Sequence, residues 1–364
     1  MKILYDSQMF LKQKYGGITK YFCELMQNLP EEHSYKLAVL FADNQHLRDF
    51  KALKKINIVL PKQEFRGKGR IKTGFYNINR LYSHYQVTST DYDLLHPTYY
   101  DTYFFKKLKK PFIVTVHDLI EFKFKEQYRH DSLIPNMTEI ITKANRIISI
   151  SENTKKDLIE ILNINPAKID VIYHGFTKCL VDRPQSDHYG RYILFVGYRG
   201  GYKNFLSLAK VFRNLVSKDK DLKLVCVGQP FTKEELENLN ELQINEKTIV
   251  VGASEKLLNE LYSNALAFVY PTKYEGFGMS ILEAFANNCP VCLSNTSSLP
   301  EVAGEAGSYF DPYNLDSIQN TVEKVIYDTE YSKKMVEKGK KRLEYFSWKK
   351  CAEETIKSYE KALS

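Results

Sequence analysis

The chain has 364 residues, 43% of them hydrophobic, with 17 Gly and 12 Pro. That composition excludes a disordered or fibrous chain, and the length exceeds what one hydrophobic core usually organises, so two domains are expected. The formal net charge of +8 is uneven: residues 1–185 hold 29 Lys+Arg against 20 Asp+Glu, residues 186–364 hold 23 against 24.

The basic excess concentrates in residues 62–72 and in Lys106-Lys107-Leu108-Lys109-Lys110, near Phe65, Phe75, Tyr76, Tyr103, Phe104 and Phe105. A basic surface with aromatics suits an anionic partner: lipid headgroups, a lipid pyrophosphate or nucleic acid. A solvated basic face with no partner is the plainer alternative. No apolar run approaches the roughly 20 residues that cross a bilayer. The start, Met1-Lys2-Ile3-Leu4-Tyr5-Asp6, meets charge too soon for a signal peptide, so a cytoplasmic protein is expected. The six cysteines are scattered and form no disulfide framework. Cys289-Pro290-Val291-Cys292 has no second pair to complete a zinc site, and reads as two small apolar residues between a helix and a buried strand.

In chain order, short continuous apolar runs stand at 3–5, 37–41, 56–60, 112–116, 147–150 and 171–173. They resume at 192–196, 222–227, 248–251, 267–270 and 291–293. Continuous rather than alternating apolarity marks parallel strands buried on both faces. Amphipathic stretches at 17–29, 151–162, 204–216, 255–263 and 276–287 supply helices between them. The repeated strand–helix order predicts a doubly wound α/β architecture in two Rossmann-like domains. Residues 178–190, with Pro184 and Gly190, read as the linker. The expected division is 1–180, 181–346 and a final helix over 347–364 capped by Ser347. Ligands of such sheets bind beyond the carboxyl ends of the strands, which makes a cleft between the domains the expected site.

The most informative stretch is Tyr270-Pro271-Thr272-Lys273-Tyr274-Glu275-Gly276-Phe277-Gly278-Met279-Ser280-Ile281-Leu282-Glu283. A strand ends at Tyr270 and a helix starts near Gly278. The backbone amides of that start lack intrahelical partners and, with the helix dipole, suit a diphosphate. Glu275 and Glu283 flank the turn as hydrogen-bond acceptors for sugar and ribose hydroxyls. Glu-x7-Glu around Gly-Phe-Gly, after Tyr-Pro-Thr, resembles the signature of the retaining glycosyltransferases of family 4, which have the GT-B fold.

Other segments resemble the same family in the same order. Tyr15-Gly16-Gly17-Ile18 is similar to its glycine loop, and Val116-His117-Asp118 to the strand end whose histidine lies beside the donor sugar. Ser149-Ile150-Ser151-Glu152 and Tyr173-His174-Gly175 match as architecture. Gly197-Tyr198-Arg199-Gly200-Gly201-Tyr202-Lys203-Asn204 resembles the basic phosphate loop. Here the family's arginine position, directly after the glycine, is Tyr198, and Arg199 follows it. Val251-Gly252-Ala253 resembles the segment that reads the nucleobase.

The resemblance implies a hexosyltransferase that retains anomeric configuration and needs no metal or other cofactor. His117, Arg199, Lys203 and Glu275 would be catalytic. Gly16, Gly17, Gly252, Gly276, Phe277, Gly278, Met279, Ser280 and Glu283 would bind the GDP- or UDP-sugar. It implies a glycan or lipid-linked acceptor at an anionic membrane, and no nucleic acid. Asp91-Tyr92-Asp93 has the D-x-D form that holds a divalent metal elsewhere, but precedes a short strand at 94–96 and reads as structural. An inactive binding module and a GT-B-like epimerase are the alternatives.

Overall fold

The computed structural model describes residues 1–48, 50, 58–59, 67–89, 91–127, 133–177, 189–252 and 254–364, with only the backbone of 58–59. Most of the expected linker, the 62–66 part of the basic run, Cys179 and Ala253 lie outside the described residues. The chain divides into an N-terminal unit, Met1–Gly175 with Ser347–Ser364, and a C-terminal unit, Phe176–Phe346. No described helix is long and apolar enough to cross a membrane.

The N-terminal unit runs β1 (Lys2–Tyr5), α1 (Gln8–Lys12), α2 (Gly17–Gln27), β2 (Ser34–Leu37), β3 (Phe41–Ala42), α3 (Gln45–Arg48), β4 (Ile58–Val59) and α4 (Lys68–Thr88). It continues with β5 (Leu94–His96), β6 (Ile113–Val116), α5 (Ile120–Lys123), α6 (Leu133–Lys143), β7 (Arg146–Ser149), α7 (Glu152–Leu162) and β8 (Ile169–Val171). Its parallel strands pair as β2-β1-β5 and β6-β7-β8, and a parallel bridge from Leu95 to Phe112 joins the two sets. The single run expected at 37–41 is two strands, β2 and β3, with β3 paired to β4. β8 ends at Val171, where the expected strand began.

The C-terminal unit runs β9 (Tyr192–Val196), α8 (Phe205–Lys218), β10 (Lys223–Val227), α9 (Lys233–Glu241), β11 (Thr248–Val251), α10 (Glu255–Asn264) and β12 (Ala267–Tyr270). It ends with α11 (Met279–Ala286), β13 (Val291–Ser294), α12 (Leu299–Ala303), β14 (Gly307–Phe310), α13 (Leu315–Tyr327) and α14 (Thr329–Leu343). The sheet is parallel, ordered β11-β10-β9-β12-β13-β14. The chain works outward from β9 in one direction and then returns to work outward in the other. The order reverses between β9 and β12, and in the N-terminal unit between β1 and β5. Such switch points open a crevice beyond the strand ends.

The last helix, α15 (Trp348–Leu363), belongs to the N-terminal unit. Ser347 caps it, its hydroxyl accepting the Lys350 amide. Trp348, Cys351, Ala352, Ile356 and Tyr359 bury into one cluster with Ile3, Tyr5, Phe22 and Ile172.

A candidate donor site at the switch point of the C-terminal unit

Two loops leave the strands that flank the switch point. The first follows β9 from Gly197, whose φ of 121° is a glycine conformation. It ends at Asn204, in the left-handed region at φ 58°. The Asn204 side-chain amide donates to Pro271 O at 3.1 Å and Pro312 O at 2.9 Å, fastening this loop to the one after β12. Lys203 is thereby aimed across the crevice. Its Nζ lies 2.6 Å from Glu275 Oε1 and 3.5 Å from the Tyr270 hydroxyl. Burial, and then the neighbouring Glu275 carboxylate, push the Tyr270 phenol far above its ordinary range, so it stays a neutral donor.

Glu275 is held from behind. Its amide donates to Ser297 Oγ at 3.0 Å. The Ser298 hydroxyl donates to the carbonyls of Glu275 and Phe277, each at 2.9 Å. Gly278 then takes φ 109° as the N-cap of α11, with no side-chain cap and no acidic residue in the first turn. The backbone conformation therefore requires glycine, and a Cβ there would also press on Ile281 Cδ1 at 3.0 Å and Leu299 Cδ2 at 3.1 Å. The amides of Met279 and Ser280 lie in this uncapped first turn, beside the Lys203–Glu275 pair. Gly276 is buried in the same loop. Phe277 is a core side chain, edge-on to Phe346 at 5.7 Å. Glu283 sits one turn into α11 and accepts the Tyr262 hydroxyl at 3.2 Å.

Arg199, expected beside the diphosphate, is bonded away from the Lys203–Glu275 pair. Its guanidinium is almost wholly buried. Nε donates to Glu235 Oε1 at 2.9 Å, Nη2 to Glu235 Oε2 and Pro230 O at 3.0 Å each and to Gln229 O at 2.8 Å. Phe231 covers its face at 4.6 Å. Burial opposes ionisation of Glu235, but the hydrogen bonds from Arg199 and Thr232 outweigh it and hold that carboxyl low. Arg199 thus ties the phosphate-type loop to the capping box of α9, where Thr232 and Glu235 satisfy each other's backbone amides. The loop, with Lys273 and the start of α8, lines a cavity of 510 Å³. Gly252 closes β11, two strands away from the switch point.

In the N-terminal unit the switch point is built on Asp6. Its buried carboxylate accepts the Thr98 amide at 2.9 Å and the Thr98 hydroxyl at 2.7 Å. It also accepts Gln8 Nε2 at 2.7 Å and the Tyr103 hydroxyl at 3.1 Å. These bonds clamp the loop after β1 to the loop after β5. Above the clamp lies a 400 Å³ cavity lined by Lys12, Tyr76, Tyr99, Tyr100, Asp101 and Asn136. Lys12 Nζ lies over the rings of Tyr99 at 4.9 Å and Tyr76 at 5.6 Å. Asp101 is already engaged by Arg80 at 3.0 Å and by the Tyr76 hydroxyl at 3.1 Å. Sequence reasoning missed this pocket. Its one legible signal is Tyr99-Tyr100 after the short strand at 94–96.

Gly16 and Gly17 open α2 without a side-chain cap. A Cβ on Gly16 would collide with the Gln13 side chain, whereas Gly17 faces open space. His117 follows β6, packed edge-on to Tyr21 at 5.3 Å and His174 at 5.6 Å. Burial pulls its pKa down to about 3, so the ring is neutral, and its Nε2 has no hydrogen-bond partner among the described residues. Asp91 and Asp93 serve β1: Asp91 pairs with Lys2 Nζ at 2.6 Å, and Asp93 accepts the Lys2 amide at 2.7 Å. Cys289 and Cys292 are buried, and burial raises both thiols well out of the reactive range.

Two family models divide the chain between them. "Glycosyltransferase Family 4" matches residues 15–177, and "Glycosyl transferases group 1" matches residues 171–342. O-antigen chain mannosyltransferase B of Escherichia coli is 29% identical over 265 residues, covering 68% of this chain and 69% of that protein. The N-acetylgalactosamine-N,N'-diacetylbacillosaminyl-diphospho-undecaprenol 4-alpha-N-acetylgalactosaminyltransferase of Campylobacter jejuni is 28% identical over 225 residues, 59% of this chain and 60% of that one. Among solved structures, Anabaena HepE in complex with UDP and glucose superposes with a TM-score of 0.73 at 15% identity, covering 99% of both chains. That likeness shows a shared fold.

Proposed function

We propose that this chain, which belongs to the group 1 and family 4 glycosyltransferases of the GT-B fold, transfers a hexose from a GDP- or UDP-sugar onto a glycan or lipid-linked oligosaccharide. The transfer retains anomeric configuration and uses no metal. The observation that carries this reading is the Lys203–Glu275 pair beside the uncapped start of α11. As the glycosidic bond breaks, negative charge grows on the departing diphosphate. Lys203 and the amides of Met279 and Ser280 are placed to stabilise it without reorganising. Glu275 holds the Lys203 ammonium and takes a hydroxyl of the transferred sugar, while Glu283 takes the ribose diol. Arg199 acts through the loop that carries Lys203. The neutral His117 supplies a hydrogen bond to a sugar hydroxyl.

Polysaccharide assembly is supported by the E. coli relative, whose name is that of an O-antigen mannosyltransferase. A lipid diphosphate acceptor is supported by the C. jejuni relative, whose name specifies one. We assign the acceptor to the Lys12–Tyr76–Tyr99 cavity, where tyrosine faces can carry a sugar ring and Lys12 an anionic group. Such an acceptor places the enzyme at the inner face of the plasma membrane.

The test is thermal unfolding with UDP and with GDP, each with and without EDTA. A ligand at 100 times its Kd stabilises the native state by about 2.7 kcal/mol. One nucleotide should stabilise the protein and EDTA should leave that unchanged. No response to either nucleotide, or one abolished by EDTA, sinks the reading.

A further inference from the structure

Helix α4 is built inside out. Its 21 residues bury Lys68, Asn79, Ser83 and Gln86 with Val87. Three of the buried polar groups, Lys68, Asn79 and Ser83, are engaged inward. Asn79 Oδ1 accepts the amides of Leu40 and Phe41, and its Nδ2 donates to Phe41 O at 2.7 Å. The Ser83 hydroxyl donates to Ala38 O at 2.9 Å, and Lys68 lies 3.6 Å from Asp43. Four of its large apolar side chains point the other way. Ile71, Ile78, Leu81 and Tyr85 are 40, 44, 72 and 66% exposed. Their spacings of seven, three and four residues put them on one outer ridge. A soluble helix ordinarily does the reverse, and a row of large exposed side chains marks an interaction surface.

The charge of the helix names the partner. Residues 68–88 contain Lys68, Arg70, Lys72 and Arg80 and no Asp or Glu. Asp43 neutralises part of this from beneath, 3.1 Å from Lys72, and Asp101 pairs with Arg80. The helix still carries a net positive charge. Arg80 also lies 5.9 Å over Tyr103, which ties α4 to the loop bearing exposed Lys106, Lys107 and Lys109. A second copy of this chain is a poor occupant, because it would set two carboxylate-free cationic helices against each other. An apolar ridge on a carboxylate-free helix of net positive charge is what an anionic bilayer surface accepts.

We propose that the outer ridge of α4 is the surface by which the N-terminal unit seats on an anionic membrane, Ile71, Ile78, Leu81 and Tyr85 entering the headgroup–acyl boundary. This rests on the reading of a lipid-linked acceptor. The inner face of α4 is held by Asn79, Ser83 and Lys68 together with Val87 and the Phe75–Phe41 stack, which leaves Ile71, Ile78, Leu81 and Tyr85 for the lipid.

The experiment is flotation of the full chain with phosphatidylcholine vesicles, with and without phosphatidylglycerol, for the wild type, Leu81→Gln/Tyr85→Gln and, as a control, Leu236→Gln in the C-terminal unit. Wild type and control should float only with the anionic vesicles and lose binding as salt is raised. The double variant should bind about tenfold less or weaker still. Nucleotide-induced stabilisation and transfer to a detergent-dispersed acceptor should be the same in all three. Absence of wild-type binding, equal binding by the double variant, or a wild-type dimer that the double variant turns into monomer overturns the proposal. Vesicle binding without any nucleotide response would sink the enzyme reading and leave the membrane surface standing.

Discussion

Lys203 Nζ and Glu275 Oε1 meet at 2.6 Å although 72 residues separate them in the chain, because their loops leave the two strands on either side of the sheet's reversal. Both side chains are largely buried. Lys203→Met should lower kcat/KM by about 100-fold or more. It should also destabilise the C-terminal unit by about 3–5 kcal/mol, since Glu275 is left charged and unpaired. Lys203→Met/Glu275→Gln should recover much of that stability and none of the activity. Full transfer by a folded Lys203→Met variant would refute the assignment.

Arg199 should behave differently. Its partners are Glu235 and two carbonyls, so Arg199→Met should cost about 3–5 kcal/mol of stability and disturb nucleotide affinity less than Lys203→Met does. Urea unfolding and nucleotide titration on the two variants separate these effects. A normal unfolding midpoint with nucleotide binding lost would return Arg199 to the diphosphate.

The Lys12 cavity carries a prediction about one substrate only. Lys12→Met and Tyr99→Leu should each raise the KM for the acceptor by about tenfold, by removing a cation or an aromatic face. The KM for the donor should not move. Steady-state kinetics with each substrate varied in turn decides it, and a donor effect equal to the acceptor effect counts against the assignment.

His96 sets a pH dependence. It is wholly buried, with Nδ1 2.7 Å from the Tyr359 hydroxyl and Nε2 3.0 Å from Thr115 Oγ1. Burial, aided by His117, lowers its pKa to about 3, whereas the unfolded imidazole titrates near about 6.5. Between those values the unfolded chain binds a proton that the native chain does not. Its stabilising contribution is therefore complete above about pH 6.5 and is lost as pH falls toward 3, at up to about 1.4 kcal/mol per pH unit. Asp6, Glu24 and Glu121, whose pKa values burial raises, act in the opposite sense. The measurement is accordingly the difference in stability between wild type and His96→Asn. Trp348 is the single tryptophan and lies in the N-terminal core, so its emission follows that unit. The gap should be widest near about pH 8 and narrow by about pH 5; a constant gap excludes the mechanism.

The parallel strands were legible because both their faces are covered. β9 and β12 are apolar without interruption, and their ends fix where the site loops begin. The Gly278 turn was legible because its backbone tolerates no side chain. Helix α4 was not, since its inward residues are Asn79, Ser83 and Gln86 and leave no core-facing apolar period. β14 was not, because it is a sheet edge whose residues alternate between buried and half-buried. The placement of Arg199 depends on Glu235, 36 residues away, and no local pattern announces such a partner. The Lys12 cavity is likewise made of residues that only the reversal of strand order brings together.

The return of α15 to the first unit makes the order of synthesis matter. Tyr359 bonds the hydroxyl of Tyr5 at 2.9 Å, so β1 is finished by a helix that lies 354 residues further along the chain. Roughly 180 residues are translated between Gly175 and Tyr359, about 10–40 s at ordinary elongation rates. The C-terminal unit, contiguous from Phe176 to Phe346, can close on itself as it leaves the ribosome. The N-terminal unit must wait with Ile3, Tyr5 and Phe22 uncovered, and that interval is when chaperones have a surface to hold.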